Sequence, residues 1–169
     1  MVLLNNWNLR KNNTILHVKN PATNRVEAQY TVTDLGAVLG AAGAIGGRHR
    51  SKNDVQDFQR SSFVRKVADG TVQFDYDIRP KKLGLFTIFY PPYFFGQRRA
   101  NKTMHKVPVE HAVWIGAQLS QLSDEQLREG FRAAGYNRST TESYIRVLRS
   151  RIKQLIRLRE SELAGRLRR

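Results

Sequence analysis

The sequence predicts an α+β fold, with a β-hairpin and a glycine-rich loop at the N-terminus and three helices at the C-terminus. Two short β-rich runs, residues 14–18 and 28–32, flank a turn-forming segment at residues 20–24. From Pro108 onward, apolar residues recur at helical spacing and are separated by helix-start signals. Between these regions lies an irregular segment that is rich in aromatic residues.

We therefore divide the chain into a hairpin and loop region, residues 1–107, and a helical subdomain, residues 108–169. The 169 residues include 29 Lys and Arg against 14 Asp and Glu, which gives a net charge of +15. This charge favours anionic partners such as nucleic acid, nucleotide phosphates or acidic lipid. The absence of cysteine excludes disulfides, thiolate zinc sites and a cysteine nucleophile.

We expect neither a transmembrane segment nor a signal peptide. No apolar run approaches the roughly 18 residues that a membrane span needs. Residues 1–7 have no basic region and no long apolar region, both of which a signal peptide requires. The sequence leaves the cellular compartment open.

The glycine-rich loop follows the hairpin. Its glycines are Gly36, Gly40, Gly43, Gly46 and Gly47. The segment lacks the Gly-Lys-Ser/Thr of a phosphate-binding Walker loop, and its spacing differs from Gly-x-Gly-x-x-Gly. It is more typical of a connecting loop than of a nucleotide cradle.

In the middle segment, apolar residues within 54–67 form an imperfect helical stripe, and residues 71–76 alternate like a strand. The aromatic tract at residues 83–96 contains Pro91 and Pro92, which exclude a continuous helix or a central strand. We expect this tract to pack in the core around a rigid turn; stacking on bases or entry into a membrane interface is the alternative.

The three C-terminal helices have clear start signals. Pro108 suits the first turn of the first helix, and a capping box at residues 123–126 starts the second, which ends at Gly135. A second box at residues 139–142 predicts the start of the third helix. We expect the helices to pack through Val113, Leu119, Leu127, Phe131, Ile145, Leu148 and Ile152.

The N-terminal loop carries the strongest indication of chemistry. Asn8 and Asn13 lie five positions apart, the hairpin follows, and its second strand leads to Asp34-Leu35-Gly36. Kinase-type phosphotransferases have the same order of parts: a catalytic loop, a hairpin and an Asp-x-Gly. Mg²⁺ takes oxygen ligands from separate segments, and a tight hairpin brings the two ends together. Because Asp-x-Gly is also a common turn triplet, an ordinary turn is the alternative.

Residues 3–40 resemble the C-lobe core of atypical kinase-like proteins, which include the HipA-like kinases, the phosphoinositide kinases and the secretory-pathway kinases. The chain also resembles the C-terminal part of uncharacterised bacterial proteins that carry an Asn-Trp-Asp-x-Lys-x-x-Asn loop and an Asp-Leu-Gly. In this sequence the corresponding residues are Asn-Trp-Asn-Leu-Arg-Lys-Asn-Asn and Asp-Leu-Gly.

The resemblance implies a role for each matching residue. Asn8 lies where the catalytic Asp would be, Lys11 would contact the transferring phosphate, and Asn13 and Asp34 would hold Mg²⁺ with ATP. An amide at position 8 can orient a hydroxyl but cannot accept its proton. We expect the nucleotide-covering N-terminal lobe to be a missing part of a longer or split protein, and this chain to be inactive alone.

A second hypothesis concerns residues 123–158, where the order and length of two helices and the short turn between them are typical of a helix-turn-helix. Thr140, Thr141 and Ser143 would face bases, while basic residues would contact phosphates. These basic residues are Arg138, Arg146, Arg149, Arg151, Lys153 and Arg157. We expect nonspecific binding to nucleic acid or another polyanion. Alternatively, these arginines form only the solvated face of an ordinary helix pair.

Overall fold

The computed structural model describes residues 2–6, 15–30, 36–42, 51–76, 106–160 and 163. Helices and antiparallel strands are both present, so the prediction of an α+β fold is confirmed. The elements before the helical region are a 3₁₀ turn (Val2–Leu4), β1 (Ile15–Lys19), β2 (Val26–Tyr30), α1 (Val55–Arg60), β3 (Val64–Ala68) and β4 (Thr71–Phe74). The remaining elements are β5 (Val107–Pro108), α2 (Val109–Ser120), α3 (Asp124–Ala133) and α4 (Arg138–Ile156).

Strands β1 and β2 form the N-terminal antiparallel hairpin, with Ile15 opposite Tyr30 and Lys19 opposite Val26. The strands differ by one or two residues from the predicted runs. The turn explains the shift, because the Asn20 amide donates to the Arg25 carbonyl oxygen at 2.8 Å. This hydrogen bond closes the turn so that pairing begins at Val26, two residues earlier than predicted.

The helix predicted over 54–67 is wrong beyond Arg60. Asp54 caps the start of α1 by accepting a hydrogen bond from the Asp57 amide at 3.0 Å, and Ser61 is already extended. Valines 64 and 67 then lie in a strand, because the turn at Asp69 and Gly70 folds this segment back onto β4. Long-range pairing therefore overrides the helical spacing.

Strands β3, β4 and β5 form a three-stranded antiparallel sheet in that order. Residue Val72 pairs with Val107, which ties the middle segment to the beginning of the helical region. The first hydrophobic cluster lies between this sheet and helices α2 and α4. Its members include Phe63, Val72, Phe74, Tyr76, Val109, Ala112 and Leu155. Residues before and after position 107 therefore pack in the same core. The division of the chain into residues 1–107 and residues 108–169 stays a prediction.

The helices follow the predicted order, but α4 begins earlier than expected. The capping box of Ser123 and Gln126 is present at the start of α3. Helix α4 is capped by Asn137, whose Oδ1 accepts a hydrogen bond from the Thr140 amide at 2.9 Å. The predicted start at Ser139 is therefore wrong, because Asn137 is itself a good cap and lies two residues after the left-handed turn at Gly135.

Helix α4 is the central helix of the molecule and contacts α1, α2, α3 and the 3₁₀ turn. The residues predicted to form its buried stripe, Ile145, Leu148 and Ile152, are all buried. A second cluster joins α4 to α1 and to the segment 36–42, and its buried members are Leu39, Phe58, Tyr144 and Leu148. Within the described ranges, none of the helices is long and apolar enough to cross a membrane.

Candidate functional site

The four residues of the predicted phosphotransfer site, Asn8, Lys11, Asn13 and Asp34, lie outside the described residues. So do the aromatic tract at 83–96 and the glycines at positions 43, 46 and 47. The described segments 2–6 and 36–42 flank the predicted site in sequence. One leads into the asparagine-rich loop, and the other follows the Asp-Leu-Gly triplet.

These two flanking segments are hydrogen-bonded to each other. The Leu39 amide donates to the Leu4 carbonyl oxygen at 2.8 Å, and Asn5 Nδ2 donates to the Gly40 carbonyl oxygen at 2.7 Å. In the hairpin between them, β1 and β2 pair from Ile15 and Tyr30 to the turn. The chain entering the loop and the chain leaving Asp-Leu-Gly are therefore held side by side.

The backbone of this junction has an unusual conformation at two non-glycine residues. Asn5 has φ 51° and Leu39 has φ 58°, both in the left-handed region. Asparagine tolerates this region well, whereas leucine is strained there. The Leu39 carbonyl oxygen accepts hydrogen bonds from the Asp54 amide at 3.0 Å and from the Tyr144 hydroxyl at 3.3 Å. These bonds, with burial of the leucine side chain, hold the strained conformation in place.

Gly40 leaves no space for a side chain. A β-carbon at this position would lie 2.3 Å from the Ser51 carbonyl oxygen, so any other residue would force the backbone apart. Ser51 also fixes the neighbouring residue, because its Oγ accepts a hydrogen bond from the Ala41 amide at 2.9 Å. The segment after Asp-Leu-Gly is thus packed tightly against the residues that precede α1.

Arg151 lies at the centre of the junction and is only 1% exposed. Its Nη1 donates to the Leu3 carbonyl oxygen at 2.6 Å and to Asn5 Oδ1 at 3.1 Å. Its Nη2 donates to Ser61 Oγ at 2.7 Å, and the guanidinium lies 4.1 Å from the centroid of the Phe58 ring. A side chain of α4 therefore connects the 3₁₀ turn with the end of α1.

Among the described residues, the charged guanidinium of Arg151 contacts only neutral hydrogen-bond acceptors and aromatic rings. None of their carboxylates lies within ion-pair distance of it, and burial alone lowers its pKa to about 10. Such burial costs free energy, which neutral hydrogen-bond acceptors and cation–π contacts offset only in part. The guanidinium is nevertheless charged at neutral pH.

Asn6 follows Asn5, which accepts a hydrogen bond from Arg151, and is fully buried. Its carbonyl oxygen accepts a hydrogen bond from the hydroxyl of Tyr76, which is itself buried two residues beyond the end of β4. The start of the asparagine-rich loop is therefore held by a side chain that follows β4 as well as by one from α4.

The sequence did not single out Asn5, Asn6 or Arg151 as a unit, and it placed Arg151 on the solvated face of its helix. That placement is wrong. A signal was present, because Arg151 continues the spacing of the buried residues Tyr144, Leu148 and Leu155, at intervals of four, three and four. An arginine in step with an apolar stripe points inward.

The helix-turn-helix hypothesis is also changed by this geometry. Arg151 is buried, and Arg149 Nε donates to Asp124 Oδ1 at 2.6 Å, so neither is positioned to contact a phosphate as predicted. Thr141 is buried and cannot reach a base. Of the basic residues predicted to contact phosphates, Arg138, Arg146, Lys153 and Arg157 are exposed.

Three of these exposed residues lie along one line of α4. Arg146, Ser150, Lys153 and Arg157 are separated by four, three and four positions, so their side chains share one face. Shallow depressions on both sides of this line share Ser150 and Lys153, one towards Asp124 and one towards Val64 and Val67. The exposed charged side chains along this line are therefore basic, although Asp124 and Glu142 lie in the depression on one side.

Within the described ranges, no group of three or more His, Asp or Glu residues could hold a metal ion. Comparison of the chain with known proteins found no matching family model, no matching curated protein and no matching solved structure.

Proposed function

We propose that this chain is the C-lobe portion of a kinase-like phosphotransferase and that it binds Mg²⁺ with ATP through Asn13 and Asp34. One observation supports the proposal most. The segments that lead into the asparagine-rich loop and out of Asp-Leu-Gly are hydrogen-bonded to each other, through Leu4 with Leu39 and Asn5 with Gly40. A two-segment metal site needs such convergence.

The chemistry of the four residues fits this role. The Asn13 amide oxygen and the Asp34 carboxylate are hard oxygen ligands, which Mg²⁺ prefers, and Mg²⁺ usually completes its shell with phosphate oxygens and water. Bound Mg²⁺ would neutralise charge on the phosphates during transfer. Lys11 would contact the transferring phosphate, and Asn8 would orient the acceptor hydroxyl. Since Asn8 is no base, the proposal predicts nucleotide binding with little turnover.

The substitution Asp34→Asn tests the proposal directly. It removes the only carboxylate assigned to the metal, so we expect the Mg²⁺-dependent part of ATP binding to be lost. Asp69→Asn is the matched control, because it makes the same change of charge at an exposed Asp-Gly turn before β4. Equal ATP affinity in wild type and Asp34→Asn would overturn the assignment.

A second candidate function is binding to the phosphate backbone of nucleic acid. The observation that favours it is the exposed line of Arg146, Lys153 and Arg157 on α4. Phosphate contacts of this kind give affinity without reading the base sequence. Because Thr141 is buried and the opposite face of α4 forms the core, we expect binding that is independent of base sequence.

A further inference from the structure

The strongest unexplained feature of the molecule is the buried hydrogen-bond network around Arg151 and Asn5. Asn5 is 2% exposed and uses both ends of its carboxamide. Its Oδ1 accepts from Arg151, while its Nδ2 donates to the Gly40 carbonyl oxygen at 2.7 Å and to Ser61 Oγ at 2.9 Å. Three segments distant in sequence therefore meet at one amide.

The guanidinium is suited to this position in a way that no other side chain is. Its two terminal nitrogens donate to Leu3, Asn5, Ser61 and, at 3.5 Å, the Phe58 carbonyl oxygen. A lysine ammonium is a point charge that lacks the planar fork and stacks poorly on an aromatic ring. The arrangement fixes both the distance and the orientation of the groups that it joins.

Stability alone does not account for a charge at this place. Burying a cation without a carboxylate partner is costly, and even a complete buried ion pair can often be replaced by apolar residues of similar volume without loss of stability. A buried polar group can instead specify one arrangement of the groups around it. Here that arrangement is the side-by-side position of residues 3–5 and residues 39–40.

We infer that Arg151 and Asn5 are positioning residues of the Mg²⁺–ATP site, which hold the segments leading to Asn13 and Asp34 in register. The inference rests on the proposed function. It assigns α4 a role at the site beyond packing, since Arg151 holds residues 3–5, which lead into the asparagine-rich loop. It also explains why Asn5 is an asparagine, because only an amide both accepts from Arg151 and donates to Gly40 at a positive φ.

The variant Asn5→Asp separates positioning from stability. The new carboxylate pairs with Arg151, so we expect the fold to persist, but it cannot donate to the Gly40 carbonyl oxygen and repels it instead. Partners that orient metal ligands directly contribute about tenfold or more to metal affinity, and by analogy we expect the Kd for Mg²⁺–ATP to rise about tenfold when these two segments are no longer joined by Asn5. The control is Asn24→Asp, the same change at another asparagine with positive φ, in the exposed turn of the hairpin.

Hydrogen exchange of the Leu39 amide provides a readout that needs no nucleotide, because this amide donates to Leu4 across the junction. We expect faster exchange in Asn5→Asp than in wild type, with unfolding transitions at similar denaturant concentration. If Asn5→Asp does not fold, Ser61→Ala replaces it, since it removes one contact to Arg151 and one to Asn5. We expect a smaller rise in Kd for that variant.

The outcomes separate the inference from the proposed function. If wild type binds ATP only with Mg²⁺ and Asp34→Asn does not, but Asn5→Asp binds like wild type, the positioning role is overturned and the proposed function stands. If wild type shows no Mg²⁺-dependent binding, the proposed function fails and the inference falls with it. Faster exchange at Leu39 together with weaker Mg²⁺–ATP binding supports the inference.

Discussion

Gly116 on α2 lies directly against Leu155 on α4. A β-carbon at position 116 would lie 2.7 Å from the Leu155 Cβ and 3.3 Å from the Ile156 amide nitrogen. The two helices therefore cross with no room for a side chain at position 116. This crossing fixes α2 on the helix that carries Arg151, and so it contributes to the geometry of the whole junction.

We expect Gly116→Ala to lower the free energy of unfolding by about 1–3 kcal/mol, because the added methyl group meets a helix backbone that cannot move freely. Intrinsic helix propensity would predict the opposite sign, since alanine is favoured over glycine by about 1 kcal/mol. Gly130→Ala on α3 is the matched control, because beyond its chain neighbours and its own helix backbone no atom lies within 4 Å of the added β-carbon. We expect that control to be stabilised in urea denaturation. A stabilised Gly116→Ala would refute the close crossing.

Tyr144 predicts a specific loss of stability at alkaline pH. Its ring is fully buried among Phe58, Phe131 and Tyr136, and burial raises the pKa of its hydroxyl to about 12. A raised native pKa means that the unfolded chain loses its proton first, near pH 10. The stabilising contribution is therefore complete below about pH 10 and is lost as the pH rises through 12.

The substitution Tyr144→Phe removes this ionisation. At pH 8 we expect a loss of about 1 kcal/mol, the typical contribution of one hydrogen bond, here the bond to the Leu39 carbonyl oxygen. Between pH 9 and pH 12, urea denaturation should show a shallower decline for the variant than for wild type. Arg151 titrates in both proteins, so its effect cancels in the difference. Parallel declines would contradict the burial of a protonated Tyr144.

The basic line of α4 predicts binding to DNA that depends strongly on salt. Replacing Arg146, Lys153 and Arg157 together by Gln should weaken binding equally for duplexes of different sequence. Each lost phosphate contact reduces the slope of log K against log salt by about 0.9, so we expect a total reduction of about 2.7. The control replaces Lys52, Lys106 and Arg132, three exposed cations elsewhere, by Gln. An equal effect of both triple variants would show attraction to net charge and no defined face.

The part of this fold that could be predicted from sequence is the part with local signals. The capping box at Ser123 and the stripe through Ile145, Leu148 and Ile152 depend on neighbouring residues only, and both are present in the structure. The segment after Arg60 could not be predicted in this way. Its valines fit a helix by spacing, and they form a strand because β4 pairs with them.

The junction around Arg151 could be predicted even less. Its hydrogen bonds join residues up to 148 positions apart, and no local pattern encodes such a contact. Because arginine on a helix is usually solvated, the residue type alone predicted that Arg151 lies on the exposed face of α4, which is wrong. Asn5 belonged to a dense run of asparagines, where the sequence distinguished positions 8 and 13 by their spacing and left position 5 among the rest.

Titration calorimetry of the wild-type chain with ATP measures whether this chain binds ATP together with Mg²⁺. We predict binding at one site with excess Mg²⁺ and loss of that binding when EDTA removes the metal. Nonspecific attraction to a chain of charge +15 has the opposite dependence, because Mg²⁺ neutralises part of the phosphate charge. Binding that is equal or stronger in EDTA, or no binding with Mg²⁺, would contradict the proposal.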